Sequence, residues 1–565
     1  MHHLLRLALL LPPALAAIHD FDVVVYGASP GGIAAAVTAA NNTGLRVALL
    51  EPSPYVGGMS GPGGIGLRDT ADPAAAVTGG PRSVMARWLA ASTARYPGAP
   101  QTVRQPDAAI AMALWDELVA DAHYNLTVVR NAALDEAPGA VAKAGAAIVS
   151  IRTVDPRLPA GAAPTDTWRA KVFIDASYEA DVVVASGASF AVGREARAQY
   201  NESIGGVIPN PGFQRFRVAV DPFWPNGSLV DGVEPAAAMP PAGAADDRVM
   251  PSSYRACITN DPGLRVPWPA PPGYSEDTYE LLIRLANGLG NISRFAFTDY
   301  VGVLAYFGYP ASATRPMRYD LCEGSELSTD QPSHIYTDYV LGNRSVRAAV
   351  RERVRNWVSG WAYTLANSAR VPAATRASAA SYGLCKDAFP ENGHWPLQMY
   401  VREGVRLVGD RVATQVNTVT GACVADAVAL GAWSIDIHLM RRFAGSRAGQ
   451  PSTENEGEVG FQAFPGTGTV YELGLSAILP KRAEVTNLAA PVTPSASHVA
   501  FGSMRVEPIF MALGTAAGAA AALAVETGTP ALHDVDIAAL QARLTGVDQC
   551  FHWDAVTRAC RTTCA

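Results

Sequence analysis

Two histidines of the sequence stand beside residues that suit them to acid–base chemistry. His438 follows Asp436 in the stretch SIDIH, and in an extended segment both side chains point to the same face. His498 lies in SASHVAFGS, just before a long uncharged stretch. Because the pKa of an imidazole lies near neutral, such a group can remove a proton from an alcohol or amine donor. We therefore take Asp436, His438 and His498 as candidate catalytic residues; the alternative is that these histidines only make structural hydrogen bonds.

A glycine-rich turn near the start of the chain predicts how a ligand is positioned for such chemistry. Residues 21–26 are apolar and rich in valine, which is typical of a parallel strand buried on both faces. In the following YGASPGGIAAAVTAA, Gly27 permits a tight turn, and the small Ser29 lets the backbone approach a pyrophosphate, to which its hydroxyl can add a hydrogen bond. Gly31 and Gly32 then open an alanine-rich helix. Gly32 allows close helix–strand contact, and the helix N-terminus presents free N–H groups to a phosphate.

A second strand decides which dinucleotide this turn is expected to bind. The strand LRVALLE ends at Glu51, 24 residues after Gly27, where a carboxylate can accept from a ribose hydroxyl and would repel the 2′-phosphate of NADP. Shortly afterwards come Gly57 and Gly58, followed by Met59. This arrangement resembles the extended motif of FAD folds of the glutathione-reductase type, where a second glycine pair lets the chain pass near the flavin. The sequence therefore predicts FAD as the cofactor.

Several linked motifs resemble the secreted FAD-dependent oxidoreductase family, some of whose members are labelled xanthan lyase-like. The resemblance covers nearly the whole chain. It implies an α/β fold, a glutathione-reductase-type Rossmann FAD/NAD(P)-binding domain with an inserted α+β substrate or cap domain. The motifs that carry it are DVVVYGASPGGIAAAVTAA, FIDASYEADVVVASGASFAVGRE (173–195), GLCKDAFPENGHWPLQMYVREGVRLVGD (383–410), GAWSIDIH (431–438) and the block from LPKRAEV to GAAAALA (479–523).

The same resemblance implies further cofactor contacts. Asp181 follows an apolar strand and a turn of small residues, so it is expected to bind ribityl or ribose hydroxyls. The alternative for Asp181 is a surface carboxylate that caps a helix. Gly502, Ser503 and Arg505 stand just before the uncharged stretch and are expected to contact the flavin ring system.

That uncharged stretch, residues 508–525, predicts a buried and closely packed helix. Its length would allow it to cross a membrane, but it is built from Ala, Gly and Thr, and it lacks basic or aromatic anchors at its C-terminal side. Gly514 and Gly518 lie four residues apart and let another backbone approach. Glu507 and Pro508 open this helix, and its positive end would face the flavin and stabilise the charge of the reduced form. We expect no membrane span in the mature chain.

Length and composition indicate several structural units. A chain of 565 residues is too long for one hydrophobic core. We expect a signal peptide at 1–17, a discontinuous FAD-binding domain at 18–195 and 481–546, a substrate or cap domain at 196–480, and a cysteine-containing tail at 547–565.

Three features predict export from the cell. Residues 1–17 have a basic Arg6, a short apolar run and the small residues Ala14 and Ala16 of a cleavage site. The chain has seven cysteines without zinc-like spacing, so we expect no metal site, and a disulfide among Cys550, Cys560 and Cys564. Glycosylation sequons stand at Asn41, Asn125, Asn201, Asn226, Asn291 and Asn343.

These observations predict a secreted FAD-dependent oxidoreductase, an oxidase or dehydrogenase. It would take a hydride from a small organic or sugar-like donor onto flavin N5 and pass electrons to an acceptor such as O2. The net charge of −7 and the lack of a basic run argue against nucleic acid as a partner. Two alternatives stay open. One is an FAD-containing enzyme without net redox chemistry, of the hydratase, isomerase or lyase type; the other is a non-catalytic secreted protein on an FAD scaffold.

Overall fold

The computed structural model describes residues 17–41, 43–69, 77–99, 101–121, 123–159, 166–209, 212, 214–290, 304–305, 318–322, 326–327, 329–331, 335–460 and 470–563. Residues 1–16 of the expected signal peptide, Asn291 and Cys564 lie outside this range.

The strands are short and belong to several sheets. They are β1 (Ala17–Asp20), β2 (Val23–Tyr26), β3 (Val47–Glu51), β4 (Leu126–Arg130), β5 (Ala133–Leu134), β6 (Val141–Ala144), β7 (Ala147–Val154), β8 (Asp166–Arg169), β9 (Val172–Asp175), β10 (Phe190–Ala191), β11 (Cys257–Thr259), β12 (Arg265–Val266), β13 (Leu304–Ala305), β14 (Tyr319–Asp320), β15 (Gly383–Cys385), β16 (Arg406–Leu407), β17 (Ala427–Gly431), β18 (Arg441–Arg447), β19 (Gln450–Glu456), β20 (Tyr471–Gly474), β21 (Leu488–Ala489), β22 (His552–Asp554) and β23 (Ala559–Arg561).

The α-helices are distributed along the whole described chain. They are α1 (Pro30–Ala40), α2 (Val84–Ala94), α3 (Ala108–Val119), α4 (Asp181–Ala185), α5 (Arg197–Tyr200), α6 (Glu280–Leu289), α7 (Ile335–Leu341), α8 (Arg344–Asn367), α9 (Ala373–Ala380), α10 (Gln415–Thr420), α11 (His498–Met504), α12 (Glu507–Thr527) and α13 (Ile537–Gly546).

A five-stranded parallel sheet forms the centre of the part that the sequence predicts to bind a dinucleotide. Its strand order is β21-β9-β2-β3-β4, with Val23 opposite both Val47 and Val172. All four residues of β2 and of β9 are buried, as expected for strands covered on both faces. The last strand, β21, comes from near the C-terminal end, so distant segments of the chain complete one sheet. The α/β fold expected from the sequence is confirmed.

Helix α12 lies against α1 with almost no space between the two backbones. A Cβ atom added at Gly514 would lie 2.0 Å from the carbonyl oxygen of Gly31, and one added at Gly518 would lie 2.2 Å from that of Ala35. Among the described helices, α12 is the one long and apolar enough to cross a membrane, and 89% of its apolar window is buried inside the fold. The expected close packing through these two glycines is confirmed.

The middle of the chain adds elements of a different kind. An antiparallel sheet of order β12-β15-β11-β14-β13 lies beside helices α6 to α9, and the hairpin β18–β19 follows later in the chain. A disulfide between Cys257 and Cys385 joins β11 to β15. In the tail, Cys550 and Cys560 form the expected disulfide, and Cys423 is also disulfide-bonded.

Candidate active site

The glycine turn between β2 and α1 has a shape that only glycine allows at two positions. Gly27 has a φ of +94°, and a Cβ atom there would lie 2.6 Å from the backbone nitrogen of Ser177. A Cβ atom at Gly32 would lie 1.9 Å from the carbonyl oxygen of Gly27. Both distances are far inside van der Waals contact, so the turn and the start of α1 can pack this closely only without side chains.

Two other residues of the turn serve the protein's own packing. The hydroxyl of Ser29 accepts from the backbone N–H of Gly32 at 3.1 Å and donates to the carbonyl of Ala176 at 2.8 Å. It is the N-cap of α1, so its hydrogen is used inside the protein, which differs from the expected hydrogen bond to a pyrophosphate. Gly31 faces α12, where a Cβ atom would lie 2.9 Å from the carbonyl oxygen of Phe510.

A cavity of about 960 Å³ opens beside this turn. Its wall includes the turn itself, the ends of β3 and β9, and part of helix α8 from the middle of the chain. The volume lies at the upper end of the range for ligand-binding clefts. Among the expected cofactor residues, those that line it are Gly27, Ser29, Glu51, Gly58 and Asp181.

Glu51 closes strand β3 at the wall of this cavity. Its carboxylate accepts from the backbone N–H of Ala28 at 2.7 Å and from that of Ser53 at 2.8 Å. Burial raises the pKa of Glu51 to about 7, against the lowering effect of these hydrogen bonds. The acid therefore stands at the end of the second strand, where the sequence pattern placed a ribose-binding group.

The second glycine pair brings the chain back against the first glycine turn at the cavity wall. The backbone N–H of Gly57 donates to the carbonyl of Ala28 at 2.8 Å, and both Gly57 and Gly58 have positive φ, +101° and +45°. A Cβ atom at Gly58 would lie 2.4 Å from the hydroxyl oxygen of Tyr178, to which the N–H of Met59 donates at 2.9 Å. This passage therefore depends on glycine, as the resemblance implied.

Asp181 lines the cavity but has a protein partner. Its carboxylate accepts from Arg347 of helix α8 at 2.7 Å, and the hydroxyl of Tyr26 lies 3.3 Å from its other oxygen. The helix that Asp181 begins is capped instead by Asp175, which accepts from the N–H groups of Val182 and Val183 at 2.7 and 2.9 Å. The role of Asp181 toward ribityl or ribose hydroxyls stays a prediction.

Three arginines of α8, Arg344, Arg347 and Arg351, also line the cavity. Their spacing of three and four residues places them on one face of the helix. Arg347 is held by Asp181 and by the carbonyls of Tyr339 and Val340. The sequence analysis did not single them out, because nothing local marks this helix as part of a cofactor site.

His438 is the centre of a buried cluster of charged side chains. Its Nδ1 lies 2.8 Å from Asp330, and its Nε2 lies 3.7 Å from Asp436. Asp330 also accepts from Arg402 at 2.8 Å, and Asp436 accepts from Arg505 at 2.9 Å. The structure thus brings Asp436 and His438 together, as the sequence predicted, and adds the carboxylate of Asp330, which no local motif indicated.

Tyr400 connects this cluster to the cavity wall. Its hydroxyl accepts from Arg505 at 2.9 Å, and Arg402 lies over its ring at 4.9 Å. The ring packs in a small cluster with Met59, against which Tyr178 of the cavity wall is placed. One aromatic ring therefore contacts both the arginines of this cluster and Met59, which follows the second glycine pair.

Gly502 and Ser503 support this cluster from helix α11. A Cβ atom at Gly502 would lie 2.9 Å from the side chain of Ile437 and 3.3 Å from the carbonyl oxygen of Asp436. The hydroxyl of Ser503 donates to the carbonyl of Trp433 at 2.6 Å. Both residues hold the segment that carries Asp436 and His438, and their contact with a flavin ring stays a prediction.

His498 lies in a separate buried network. Its Nδ1 lies 2.8 Å from Glu403, which is also paired with Arg406, and its backbone N–H donates to Glu195 at 2.9 Å. Its Nε2 is buried without a hydrogen-bond partner among the described residues. Arg402 and Glu403 are adjacent in the chain, yet the first supports Asp330 and the second supports His498.

The comparison with family models gives these sites a context. Residues 22–544 match the model of the FAD dependent oxidoreductase family. The chain belongs to this family. It is therefore an oxidoreductase with FAD as its cofactor.

Solved structures show similarity over limited regions. A p-nitrophenol 4-monooxygenase, PnpA from Pseudomonas putida DLL-E4, is 18% identical over 32% of this chain and 46% of its own, with a TM-score of 0.21. The thioredoxin reductase of T. acidophilum is 21% identical over 32% and 40% of the two chains, with a TM-score of 0.17. An L-proline dehydrogenase from P.horikoshii is 14% identical over 36% and 26%, with a TM-score of 0.18. This chain thus spans less than half of each, and no curated protein matches it.

The residues beside the cavity fit the FAD of this family. Gly27 and Gly58 line the cavity, which extends past Glu51 to the arginines of α8, and Gly32 lets the start of α1 pack against the turn. Helix α1 begins directly after this turn, so its positive end lies beside the cavity-lining residues Gly27 and Ser29. In the FAD dependent oxidoreductase, the turn would hold the diphosphate, and Glu51 would accept from the adenosine ribose.

One group of potential metal ligands lies outside the residues that line the cavity. Ligand atoms of Cys423, Glu472 and His552 lie within 4.8 Å of one another. The sulfur of Cys423 is in a disulfide and offers no thiolate, while Glu472 accepts from His552 at 2.8 Å. This group is accounted for as a structural contact of the C-terminal tail.

The buried acids of the cofactor site predict that the FAD-free protein loses stability as the pH rises. Burial raises the pKa of Glu51 to about 7 and that of Asp175 to about 6, from ordinary values of 4.5 and 3.8. Between about pH 4 and 7 the folded chain holds protons that the unfolded chain has released, so their stabilising contribution is lost across that window. We expect a lower melting temperature at pH 8.5 than at pH 5.5.

Thermal unfolding of the FAD-free protein, followed by circular dichroism, measures this difference. Glu51→Gln removes one of the two titrating carboxyl groups. It should therefore reduce the difference in melting temperature between pH 5.5 and pH 8.5. Glu526→Gln, which alters a surface carboxylate paired with Arg543, is the control and should leave it unchanged. A melting temperature that rises from pH 5.5 to 8.5 would contradict the assignment.

Proposed function

We propose that this protein is a secreted FAD-dependent oxidoreductase that oxidises a small organic or sugar-like donor and passes the electrons to O2 or another acceptor. The donor loses a proton and a hydride equivalent. Bound FAD would supply the two-electron acceptor. The chain's own residues would orient the donor and take the proton.

The observation that carries this proposal is the placement of His438 between two carboxylates. Because Asp330 lies at 2.8 Å from Nδ1, it fixes the tautomer in which Nδ1 carries the hydrogen and Nε2 carries the lone pair. Nε2 then faces the side of Asp436, whose side chain is 23% exposed, whereas Asp330 is fully buried. The side of the imidazole that faces Asp436 is thus the side at which we propose that it receives the donor's proton.

The surrounding charges support a proton transfer at Nε2. Protonation of His438 would place a positive charge between Asp330 and Asp436, and both carboxylates would stabilise it. Each carboxylate is itself held by an arginine, Arg402 on one side and Arg505 on the other. The geometry is therefore fixed before the donor arrives, which is the condition for efficient general-base catalysis.

The decisive experiment examines the purified protein without oxygen. Its visible absorption is recorded, and candidate donors such as sugars, sugar alcohols, amino acids and hydroxy acids are added one at a time. Bleaching of the flavin by a donor, reversed by air, is the expected result. Conversion of a donor without bleaching would instead establish the non-redox alternative. Full flavin content with no donor converted, across polymeric as well as monomeric sugars, would favour the non-catalytic scaffold.

Export and glycosylation form part of the same proposal. Asn125, Asn201 and Asn226 head sequons and are exposed on the described surface. Asn343 is also exposed, but its side chain caps helix α8 by accepting from the N–H of Val346 at 3.0 Å, so a glycan there would compete with an existing contact.

We expect the protein secreted by a eukaryotic host to start after the first 17 residues and to carry N-glycans at Asn125, Asn201 and Asn226. Peptide N-glycosidase treatment in heavy-oxygen water marks each former glycan site, and mass spectrometry then identifies it. Retention of the unprocessed chain inside the cell, without glycans at Asn125, Asn201 or Asn226, would contradict export.

A further inference from the structure

Tyr178 and Glu507 form a hydrogen-bonded pair behind the wall of the cofactor cavity. The hydroxyl of Tyr178 donates to Oε1 of Glu507 at 2.6 Å and accepts from the N–H of Met59 at 2.9 Å. Tyr178 lines the cavity next to Gly58. Glu507, in the first turn of α12, is only 5% exposed. One phenol group therefore separates a buried carboxyl from the place where the cofactor binds.

The second carboxyl oxygen of Glu507 has no partner. Oε2 is buried and makes no hydrogen bond to any of the described residues. Leaving a buried polar atom unpaired is costly, and considerably more so when the group is ionised. Among the described residues, the groups that perturb its ionisation are Tyr178 and Asp69, and neither is a cation. Arg505, two residues before it, is committed to Asp436 and Tyr400.

These surroundings keep the carboxyl neutral under ordinary conditions. Burial raises the pKa of Glu507 to about 8, Asp69 raises it further, and the hydrogen bond from Tyr178 opposes them. The positive end of α12 also favours the ionised form, but it does not offset the burial. Burial likewise raises the pKa of Tyr178 well above its ordinary value, so the phenol stays protonated. The exchangeable proton of the pair thus belongs to Glu507.

We propose that Tyr178 and Glu507 are a proton-holding pair coupled to the charge in the FAD cavity. The proposal requires that FAD is bound there and does not depend on which donor is oxidised or on His438. An additional negative charge in the cavity disfavours the carboxylate of Glu507. At a pH where the carboxylate is ionised, it would then take one proton from solvent, and this proton would balance part of the added charge. Glu507 does not contact the donor. It acts on the cavity through Tyr178 and is therefore a positioning residue, whose role is to hold a proton or a negative charge at a fixed place.

A pH titration of the FAD-loaded protein between pH 6 and 10 tests the first half of this proposal. We expect the visible absorption to show a one-proton transition near pH 8. Glu507→Gln should abolish it. Tyr178→Phe should move it to higher pH, because the carboxylate loses its stabilising donor. Glu526→Gln, at the other end of the same helix, is the matched control and should keep the transition. A transition that persists in the Glu507→Gln variant would overturn the proposal.

Infrared spectroscopy provides a readout that needs no flavin. At pH 7.5 the spectrum of the unaltered protein minus that of Glu507→Gln should show the C=O band of a neutral carboxylic acid, with or without FAD. Glu51 and Asp175, whose pKa values are raised to about 7 and about 6, contribute to both spectra and cancel in the difference. If that variant fails to retain FAD, the infrared result and the shift caused by Tyr178→Phe decide the question. Lack of this band in the difference spectrum would sink the idea.

Proton uptake on reduction tests the coupling itself. The FAD-loaded protein is photoreduced without oxygen at about pH 8.5 in weak buffer that contains an indicator dye, so no donor is required. We expect the unaltered protein and Glu526→Gln to take up more protons per flavin than Glu507→Gln, by up to one. Equal uptake in all three would show that Glu507 is not coupled to the cavity, while leaving the proposed oxidation of a donor intact.

Discussion

Replacing His438 with asparagine is expected to lower the rate of flavin reduction by the donor about 10²- to 10⁴-fold, the range typical for loss of a general base. Asparagine keeps a donor toward Asp330 but offers no nitrogen lone pair at the position of Nε2. The bound FAD should be retained, because His438 does not line the cavity. The measurement is stopped-flow reduction without oxygen, with the donor found in the screen.

Two comparisons separate a lost base from a disturbed site. Asp330→Asn should slow reduction as well, because the imidazole loses the group that fixes its tautomer. His498→Asn should instead lower the FAD content more than the reduction rate, because His498 is 2% exposed and held by Glu403 within a separate network. If His438→Asn reduced at the unaltered rate, the assignment of His438 as the base would be wrong. If His498→Asn lowered the rate of flavin reduction more than His438→Asn does, His498 would be the base instead.

The nucleotide-binding part of the fold follows from local features of the sequence. The valine-rich strand, the turn at Gly27 and the alanine-rich helix up to residue 40 are contiguous, and each has a physical requirement that few other residues meet. The structure shows these requirements as distances: Cβ atoms at Gly27 or Gly32 would collide with backbone atoms. A parallel strand, a turn without side chains and a helix can therefore be predicted from one short stretch.

The chemistry of individual side chains in that stretch was harder to predict. Ser29 is small, as the turn requires, but its hydroxyl caps α1 and donates to Ala176, a residue 147 positions away in the sequence. Asp181 meets Arg347 from helix α8. A sequence pattern specifies size and hydrogen-bonding capacity, whereas the partner that uses this capacity depends on the complete fold.

The candidate active site shows the same limit more strongly. Asp436 and His438 could be paired in advance because two residues of one strand-like segment share a face. Asp330 is 108 positions from His438, and Tyr178 is 329 positions from Glu507. No pattern of neighbouring residues in the sequence indicates such contacts. A glutamate in the first turn of a buried, otherwise uncharged helix was the one available indication that Glu507 needed a special environment.

Replacing Gly514 with alanine is expected to destabilise the protein by about 3 kcal/mol or more, at the upper end of the range for overpacked cores. The added methyl group would lie 2.0 Å from the carbonyl oxygen of Gly31 and 2.8 Å from its carbonyl carbon. These are backbone atoms, so no rotation of a side chain can relieve the collision, and α1 and α12 must move apart by more than 1 Å. Denaturant unfolding followed by circular dichroism measures the loss.

Gly546→Ala is the matched control, because it also lies in a helix but an added methyl group would meet no atom within 4 Å. It should stabilise the protein by no more than about 1 kcal/mol, because alanine favours a helix more than glycine does. The separation of α1 from α12 would also displace the N-terminus of α1, which forms part of the FAD cavity. Gly514→Ala should therefore lose FAD at a denaturant concentration at which Gly546→Ala retains it. Equal unfolding midpoints for the two variants would mean that the helices do not pack through Gly514, and the FAD turn would then have to be held in place by the sheet alone.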